Sequence, residues 1–266
     1  MEKLNERRDK IIAFLKTSNF LSIKELAELL KVSTMTIRRD LEILAGQNII
    51  QFYHGGAVFN PHYLEEVTNP HDYYIQQQTM LHKEEKTIIA RIAAELLIPQ
   101  ETIMLDSGTS IFYLAQVLPD NKNLTVISWS LNVIEELIRK PQNKILVEGG
   151  VYHPETRMLE NIQGMDMIKN SRASKVFISA GGFHLSLGIT SLFHYEIETK
   201  RAAIKHSIES ILLIDSSKFG KVCSAYITDI TDFHAIITDP GIPTEYEEYI
   251  RNAGIRLIIA SESGVM

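Results

Sequence analysis

Two helix starts separated by a very short turn constrain the fold of the first sixty residues more than any other feature. Ser22 and Glu25 form a capping box, which predicts a helix over residues 23–30. A two-residue turn follows, Ser33 caps another helix, and Gly46 lies near the end of that helix. Two helices joined in this way make a helix-turn-helix, whose second helix normally enters the major groove of DNA.

An amphipathic helix before this pair and a hairpin after it complete a small domain. Asn5–Thr17 carries an apolar stripe with helical spacing. Short strands are predicted over Ile49–Tyr53 and Ala57–Phe59, around the glycines of His54-Gly55-Gly56, which suit a tight hairpin. The order of helices and hairpin predicts an α+β winged helix-turn-helix, with the hairpin as a wing beside the phosphate backbone.

The third predicted helix has two different sides when successive residues are turned by about 100°. Ile37, Leu41 and Leu44 share one narrow sector, which must face the other two helices. The opposite side carries hydroxyls and long donors near the helix start, where base edges and phosphates are met. From this helix we predict DNA contacts by Ser33, Thr34, Met35, Thr36, Arg38 and Arg39.

Other interpretations of this surface exist. An arginine pair can simply solubilise a surface helix, and winged helices also dock proteins. The distribution of charge favours DNA, because residues 1–60 hold nine basic and seven acidic side chains although the whole chain has a net charge of −6. A weakly basic head on an acidic body is typical of a DNA-reading domain attached to a larger regulatory one.

Residues 60–80 form a natural boundary, since they contain two Asn-Pro pairs and no sustained period. Three tyrosines indicate that this segment packs against the protein, and its histidines lack the helical spacing of a metal site. We therefore predict a DNA-binding domain over 1–59, a linker over 60–80 and an effector and oligomerisation domain over 81–266.

The larger domain alternates helices with short β-branched apolar runs, which predicts an α/β fold with a mainly parallel sheet and helices on both faces. The predicted strands are Thr102–Leu105, Leu124–Ser128, Lys144–Val147, Val176–Ala180, Ile211–Asp215, Ala235–Thr238 and Arg256–Ala260. The predicted helices are Glu84–Leu97, Ile111–Leu118, Leu131–Arg139, Tyr195–Ser207 and Thr244–Asn252.

Several predicted strand ends carry small polar residues, and ligands of such sheets bind beyond the carboxyl ends of the strands. Gly108 permits close approach of a ligand to the backbone. The hydroxyls of Ser107, Thr109 and Ser110 lie beside it at a predicted helix start, an arrangement that suits a phosphate. Gly149 and Gly150 end another strand, and Lys218 offers a cation after a third. Glycine-serine loops also follow strands simply because turns need them, but three such loops together predict a pocket for a phosphorylated sugar.

The head resembles that of the DeoR family of bacterial transcriptional repressors. The family pattern combines Val-Ser, Thr-Ile-Arg-Arg-Asp-Leu and His-Gly-Gly-Ala, which stand here as Val32-Ser33, residues 36–41 and residues 54–57. The resemblance implies that Thr36, Arg38 and Arg39 of the recognition helix contact operator DNA, with His54 and Gly55 near the DNA backbone.

The resemblance to this family continues through the larger domain. Shared motifs are Glu85-Lys86 with Ile89-Ala90, Asp106–Ser110, Gly149-Gly150, the helix segment 196–204, Asp215–Phe219 and the late strand 236–239. It implies a sugar-phosphate effector bound by Asp106, Gly108, Thr109, Ser110, Gly150 and Lys218.

The chain departs from the family pattern at four positions. Trp129 replaces an asparagine, His184 an acidic residue, Gln78 an arginine, and Glu148 an apolar residue. If Trp129 and His184 line the cleft, the effector differs in shape or charge from common ones. Trp129 is equally compatible with a place in the core.

The larger domain also looks related to ribose-phosphate isomerases, which raises the alternative of an enzyme. Isomerisation needs a placed general base, usually a carboxylate. The related isomerases have acidic residues in the loop that here reads Gly181-Gly182-Phe183-His184, without a carboxylate. We therefore predict no catalytic residue and no enzyme; the alternative is an isomerase-like enzyme with an appended winged helix.

These features together predict a DNA-binding regulator of a carbohydrate operon, repressor or activator, controlled by a phosphorylated sugar. It should self-associate as a dimer or tetramer. One cysteine and the absence of a long apolar segment or a secretory signal predict a cytoplasmic protein without disulfides. No cofactor, metal or membrane partner is expected.

Overall fold

The structure is a computed structural model that describes residues 2–18, 20–46, 49–53, 55–60, 73, 75–161, 166–262 and 264–265. These residues separate into two compact units. The first contains residues up to 60 together with 76–81, and the second contains Tyr73, Ile75 and residues from 82 onward. In this part of the chain no helix combines the length and apolarity needed to cross a membrane.

The first unit is a winged helix-turn-helix, as predicted. Its three-stranded antiparallel sheet has the strand order β1-β3-β2, and β1 was not predicted because it is only two residues long. The elements are α1 (Glu2–Thr17), β1 (Leu21–Ser22), α2 (Ile23–Leu30), α3 (Thr34–Gly46), β2 (Ile50–Tyr53) and β3 (Gly56–Phe59). The core of the unit contains Ile11, Leu15, Leu26, Ile37, Leu41, Leu44, Ile49, Ile50 and Ala57.

The predicted capping interactions set the starts of α2 and α3. The Glu25 N–H donates to Ser22 Oγ at 3.2 Å, and the Ser22 N–H donates to Glu25 Oε2 at 2.7 Å, which completes the capping box. The Thr36 N–H donates to Ser33 Oγ at 3.1 Å. Lys31 takes a left-handed conformation at φ 53° and closes α2. The tight turn between the two helices therefore follows from local contacts alone.

Part of the predicted linker is helical. Residues 61–72 and 74 lie outside the described residues, but Ile75–Met80 forms α4, where no regular element was predicted. Glutamine and methionine are good helix formers. Ile75 and Gln78 are buried in this short helix. Because one of them is apolar and the other polar, the sequence shows no helical period of apolar residues here, and the helix was not predicted.

The second unit is an α/β domain, which confirms the predicted class. In its eight-stranded sheet, ordered β16-β15-β14-β12-β9-β4-β5-β6, all neighbours are parallel except β16. The helices are α5 (Lys83–Glu95), α6 (Thr109–Val117), α7 (Leu131–Leu137), α8 (Asp166–Asn170), α9 (Ile197–Lys205) and α10 (Thr244–Asn252). The sheet strands are β4 (Thr102–Leu105), β5 (Thr125–Ser128), β6 (Lys144–Val147), β9 (Ala173–Ser179), β12 (Ser207–Leu213), β14 (Ala235–Thr238), β15 (Arg256–Ser261) and β16 (Gly264–Val265).

Two smaller β structures were not predicted. A hairpin is formed by β7 (Val151–His153) and β8 (Met158–Glu160), and a three-stranded antiparallel sheet has the order β10-β11-β13. The latter strands are β10 (Gly182–His184), β11 (Gly188–Ser191) and β13 (Ala225–Thr228). They are three or four residues long, too short to show a clear alternating pattern.

The central strands are buried on both faces because successive side chains point to opposite sides. Ile103 and Leu105 of β4 pack in the core with α5, α6 and α7, whereas Met104 packs in the core with α8, α9 and α10. Strands β4, β9 and β12 are neighbours in the middle of the sheet, so their carboxyl ends meet. That edge is where the fold is expected to hold a ligand.

Candidate functional site

The exposed side of α3 is the candidate DNA-binding surface. Met35 is 67% exposed and Arg38 and Arg39 are exposed, whereas Ile37 and Leu41 are fully buried. This confirms the predicted orientation of the helix. The two guanidinium groups therefore stand on the solvent side of α3 in the first unit.

The other predicted DNA contacts have mixed environments. Thr34 is exposed, but Ser33 Oγ and Thr36 Oγ1 share a hydrogen bond of 2.8 Å, so both hydroxyls also help to cap α3. Gly55 is exposed at φ 84° in the turn between β2 and β3, and His54 lies outside the described residues. DNA contacts by these side chains stay predictions.

A buried carboxylate fixes α3 against α1. Asp40 is only 1% exposed, and its two oxygens accept hydrogen bonds from Arg7 Nε at 2.6 Å and Arg8 Nε at 3.1 Å. The bond with Asp40 raises the pKa of Arg7. Asp40 was not predicted as a site residue, although it occurs on the buried side of a recognition helix, where an acidic residue needs a partner. It positions the helix whose opposite side carries the arginines.

We expect Asp40→Ala to lower the free energy of unfolding of the first unit by about 2 kcal/mol, because two arginines lose their shared acceptor. Denaturation of the full chain by urea, followed by circular dichroism, measures this change. Glu42→Ala removes an exposed carboxylate from the same helix and should change stability by less than about 0.5 kcal/mol. Equal stability of the two variants would contradict the structural role of Asp40.

In the second unit, Asp106 joins the ends of β4 and β9 to helix α9. Its Oδ2 accepts hydrogen bonds from the Ser179 N–H at 2.9 Å and from Ser179 Oγ at 3.0 Å. Lys200 Nζ donates to the same oxygen, and Lys200 also lies 3.7 Å from Glu196 Oε2. Ser191 Oγ donates to Glu196 in turn. A polar cluster thus lies beneath the meeting strand ends, and all of its members are buried except the half-buried Ser179.

The charges of this cluster stabilise one another. Burial alone would lower the pKa of Lys200, but Asp106 and Glu196 outweigh it, and the pKa is raised. Burial raises the pKa of Glu196, with Asp106 adding to this and Lys200 opposing it. Asp106, predicted as an effector ligand, is therefore already engaged by a cation and two donors of Ser179.

The loop after β4 turns tightly into α6. Gly108 has φ 117°, and a side chain there would collide with Ser179 Oγ, so close packing against β9 requires glycine. Ser107 and Ser110 are buried, Thr109 is half-buried, and Ser107 Oγ donates to Asp106 Oδ1 at 3.4 Å. Glycine cannot cap α6 with a side chain, so no side-chain cap occupies the first amides of this helix, and an anion there stays a prediction.

We call the carboxyl ends of β4, β9 and β12, with the side chains close to them, the strand-end region. Two lysines and an aspartate supply charge there. Lys86 of α5 is 3% exposed, and burial lowers its pKa to about 8. Asp215 opposes this shift and Lys218 adds to it, so both charges act on Lys86. Asp215 is held in the turn after β12 by a 3.2 Å bond from the Ser217 N–H. Lys218, predicted as a ligand, thus acts electrostatically on a second lysine.

The remaining predicted ligands, which are Trp129, Gly149, Gly150 and His184, have different environments. Trp129 is fully buried in the same core as Met104, and among the described residues its Nε1 has no hydrogen-bond partner. Gly150 is exposed, and a side chain there would collide with the Glu160 carbonyl, so it lets the β7–β8 hairpin close onto the end of β6. Gly149 is exposed beside it. His184 accepts a local bond from the Ser186 N–H at 3.2 Å.

Four residues of the strand-end region were not assigned by sequence reasoning: Lys86, Ser179, Glu196 and Lys200. A signal was present for the last two, because Glu196 and Lys200 are four residues apart and therefore share a helix face with apolar neighbours. A charged pair on a buried face must be compensated from elsewhere in the fold. The compensating residue, Asp106, is ninety-four positions away from Lys200 in the chain.

Comparisons with known families match both units. Residues 7–62 match the DeoR-like helix-turn-helix domain, and residues 81–240 match the DeoR C terminal sensor domain. Together these two matches cover the recognition helix, the wing and most of the parallel sheet.

Similar proteins are regulators along their whole length. The HTH-type transcriptional regulator GolR of Listeria innocua is 35% identical over 96% of this chain and 98% of that protein. The glycerol-3-phosphate regulon repressor of Escherichia coli (strain K12) is 31% identical over 96% of this chain and 98% of that protein.

Solved structures resemble the chain more distantly. Ribose 5-phosphate isomerase A from Neisseria gonorrhoeae is 17% identical, with a TM-score of 0.38 over 50% of this chain and 52% of that one. A likeness of this size indicates neither an activity nor a substrate.

Proposed function

This chain belongs to the DeoR family of bacterial transcriptional regulators, and we propose that it represses a carbohydrate-utilisation operon until a phosphorylated sugar binds its second unit. The observation that carries the DNA-binding half of the proposal is the exposed pair Arg38 and Arg39 on α3, opposite a fully buried apolar face. The protein would act in the cytoplasm, where its operator lies.

In this proposal two or more heads bind the operator together. A single helix-turn-helix makes few base contacts, and such proteins reach useful affinity by placing two recognition helices in successive turns of the major groove. The second unit would supply the self-association, as a dimer or tetramer.

The strand-end region would hold the phosphate of the effector. Lys86 and Lys218 supply positive charge, and the first amides of α6 supply donors for an anion. A relative is named as a glycerol-3-phosphate regulon repressor, and a small phosphorylated polyol has the chemistry that these groups recognise. The predicted ligands Asp106, Ser107, Gly108, Thr109 and Ser110 would shape this end of the pocket.

Induction requires that the effector bind the DNA-free arrangement more tightly than the DNA-bound one, since equal affinity for both would shift nothing. By linkage, operator DNA must then weaken effector binding by the same factor. Gly149, Gly150 and His184 are proposed to determine which sugar is accepted. Trp129 is fully buried in the core, so we do not propose that it contacts the effector.

We expect Lys218→Ala to leave operator binding intact and to weaken sugar-phosphate binding at least about tenfold, because a charge-assisted hydrogen bond is lost. Calorimetry with fructose 6-phosphate, ribose 5-phosphate and glycerol 3-phosphate measures binding, and release of a fluorescent promoter fragment measures induction. Lys169→Ala removes an exposed lysine of α8 and serves as the matched control. Normal induction of Lys218→Ala would refute the proposed pocket.

We propose a sensor rather than an enzyme. The loop after β9 offers glycines, Phe183 and His184 but no carboxylate for a general base. Of the acidic groups at the strand ends, Asp106 is paired with Lys200 and Asp215 is held in its turn by the Ser217 N–H. Conversion of one sugar phosphate into another by the purified protein, detected by proton NMR, would contradict this part of the proposal.

A further inference from the structure

Met35 is an exposed apolar side chain at the start of the recognition helix. It is the second residue of α3, and it is 67% exposed. The other exposed side chains of α3 are polar and belong to Thr34, Arg38, Arg39 and Glu42. The first residues of a recognition helix are the ones that reach base edges in the major groove. Met35 therefore offers an apolar group where the duplex is read.

Met35 belongs to the same exposed stripe as the two arginines. Residues three and four apart on a helix are neighbours, with Cβ atoms about 5–6 Å apart. Arg38 and Arg39 stand three and four positions after Met35, and all three side chains are exposed. Ile37 and Leu41 point away from this stripe and are fully buried. A duplex that meets the arginines must therefore meet Met35 as well.

The cap of α3 holds the first turn of the helix around Met35. Ser33 Oγ accepts a hydrogen bond from the Thr36 N–H at 3.1 Å and shares another of 2.8 Å with Thr36 Oγ1. Either hydroxyl would have to give up a cap contact in order to bond a base edge. Met35 lies between these two residues in the chain, so the cap fixes the direction in which its side chain leaves the helix.

The base edges in the major groove differ in how well they suit an apolar side chain. Every base pair presents hydrogen-bond donors or acceptors there, and thymine adds an apolar group, its C5-methyl. A thioether pressed against a polar edge would bury donors or acceptors without a partner, which is unfavourable. The flexible, polarizable chain of methionine packs well against an irregular apolar surface. The thymine methyl is thus the group that Met35 fits.

We propose that Met35 is a specificity-determining residue, which packs against the methyl group of one thymine in each half-site that a recognition helix meets. This inference rests on the DNA-binding half of the proposed function and deepens it, and it does not involve the effector. Arg38 and Arg39 supply charge and hydrogen bonds, and Met35 selects an A·T pair on the same surface.

A contact with a thymine methyl differs from a phosphate contact in two measurable ways. Loss of a phosphate contact weakens binding to all sequences and lowers the slope of affinity against salt by about one. Loss of a methyl contact leaves this slope unchanged. It also removes the preference for thymine over uracil at one position, because the two bases differ only in that methyl group. A residue that only stabilised α3 would change the affinity for both bases alike.

The test uses duplexes that the full chain selects from a pool of random DNA. In the tightest of them each thymine is replaced in turn by uracil, and fluorescence anisotropy gives the affinity of the wild-type protein and of its variants for every duplex. The variants are Met35→Ala, Met35→Leu and the matched control Met80→Ala, which removes a 43%-exposed methionine from α4. Substitutions at such exposed positions should leave folding intact.

We expect the wild-type protein to lose about fourfold in affinity when one particular thymine of a half-site becomes uracil, and Met35→Ala to show no loss at that position. Met35→Leu keeps an apolar side chain and should retain part of the preference, whereas Met80→Ala should retain all of it. Equal losses in the wild-type protein and in Met35→Ala at every thymine would overturn this inference alone. Failure of the wild-type protein to enrich any sequence from the pool would overturn the DNA-binding half of the proposed function as well.

Discussion

Arg38→Ala and Arg39→Ala will each weaken operator binding by about 1–3 kcal/mol, the largest effect on DNA that we expect from any single side chain. Both guanidinium groups are exposed on α3, and a guanidinium presents its donors in a fork that matches a guanine edge or a phosphate. Fluorescence anisotropy with a promoter fragment, measured at several salt concentrations, gives the change and separates the two kinds of contact.

The salt dependence assigns each arginine to a base or to a phosphate. Loss of a phosphate contact lowers the slope of affinity against salt by about one and affects all sequences alike, whereas loss of a base contact relaxes specificity at one position. Arg38→Lys and Arg39→Lys keep the charge and remove the fork. Arg139→Ala, which removes a 66%-exposed side chain from the second unit, is the control. Wild-type affinity of both alanine variants would show that α3 is not the recognition helix.

The largest expected effect on stability is that of Asp106→Ala, which should lower the free energy of unfolding of the second unit by about 3–5 kcal/mol. Lys200 and Asp106 are both almost completely buried, so removal of the carboxylate leaves an ammonium group in the interior with Glu196 at 3.7 Å as its remaining charged partner. Urea denaturation of the full chain, followed by tyrosine and Trp129 fluorescence, measures the loss.

A second substitution tests the cause of this loss. In the Asp106→Ala background, Lys200→Met replaces the uncompensated charge by an apolar chain of similar length and should recover part of the lost stability. Asp166→Ala, at an exposed position of α8, should change stability by less than about 0.5 kcal/mol. If Lys200→Met destabilises the double variant further, the charge of Lys200 is compensated by other groups than Asp106.

Local sequence was sufficient for most of the elements. The capping box at Ser22, the cap at Ser33 and the spacing of Ile37, Leu41 and Leu44 determine α2 and α3, because each interaction joins residues only a few positions apart. Strands Thr102–Leu105, Lys144–Val147 and Ala235–Thr238 were predicted with the bounds that the structure has. The alternation of helices and β-branched runs also predicted the carboxyl ends of the parallel strands to within two residues, and the candidate ligand site is proposed at those ends.

Tertiary structure alone decided which polar groups remain available at that place. Asp106 has the same sequence environment as a ligand-binding aspartate, yet the fold pairs it with Lys200, far away in the chain. Asp40 is paired with Arg7 and Arg8 across the head. The physical reason is the same in both cases: burying a charge is unfavourable without a partner, and the partner is supplied by packing between distant segments, which no local pattern records.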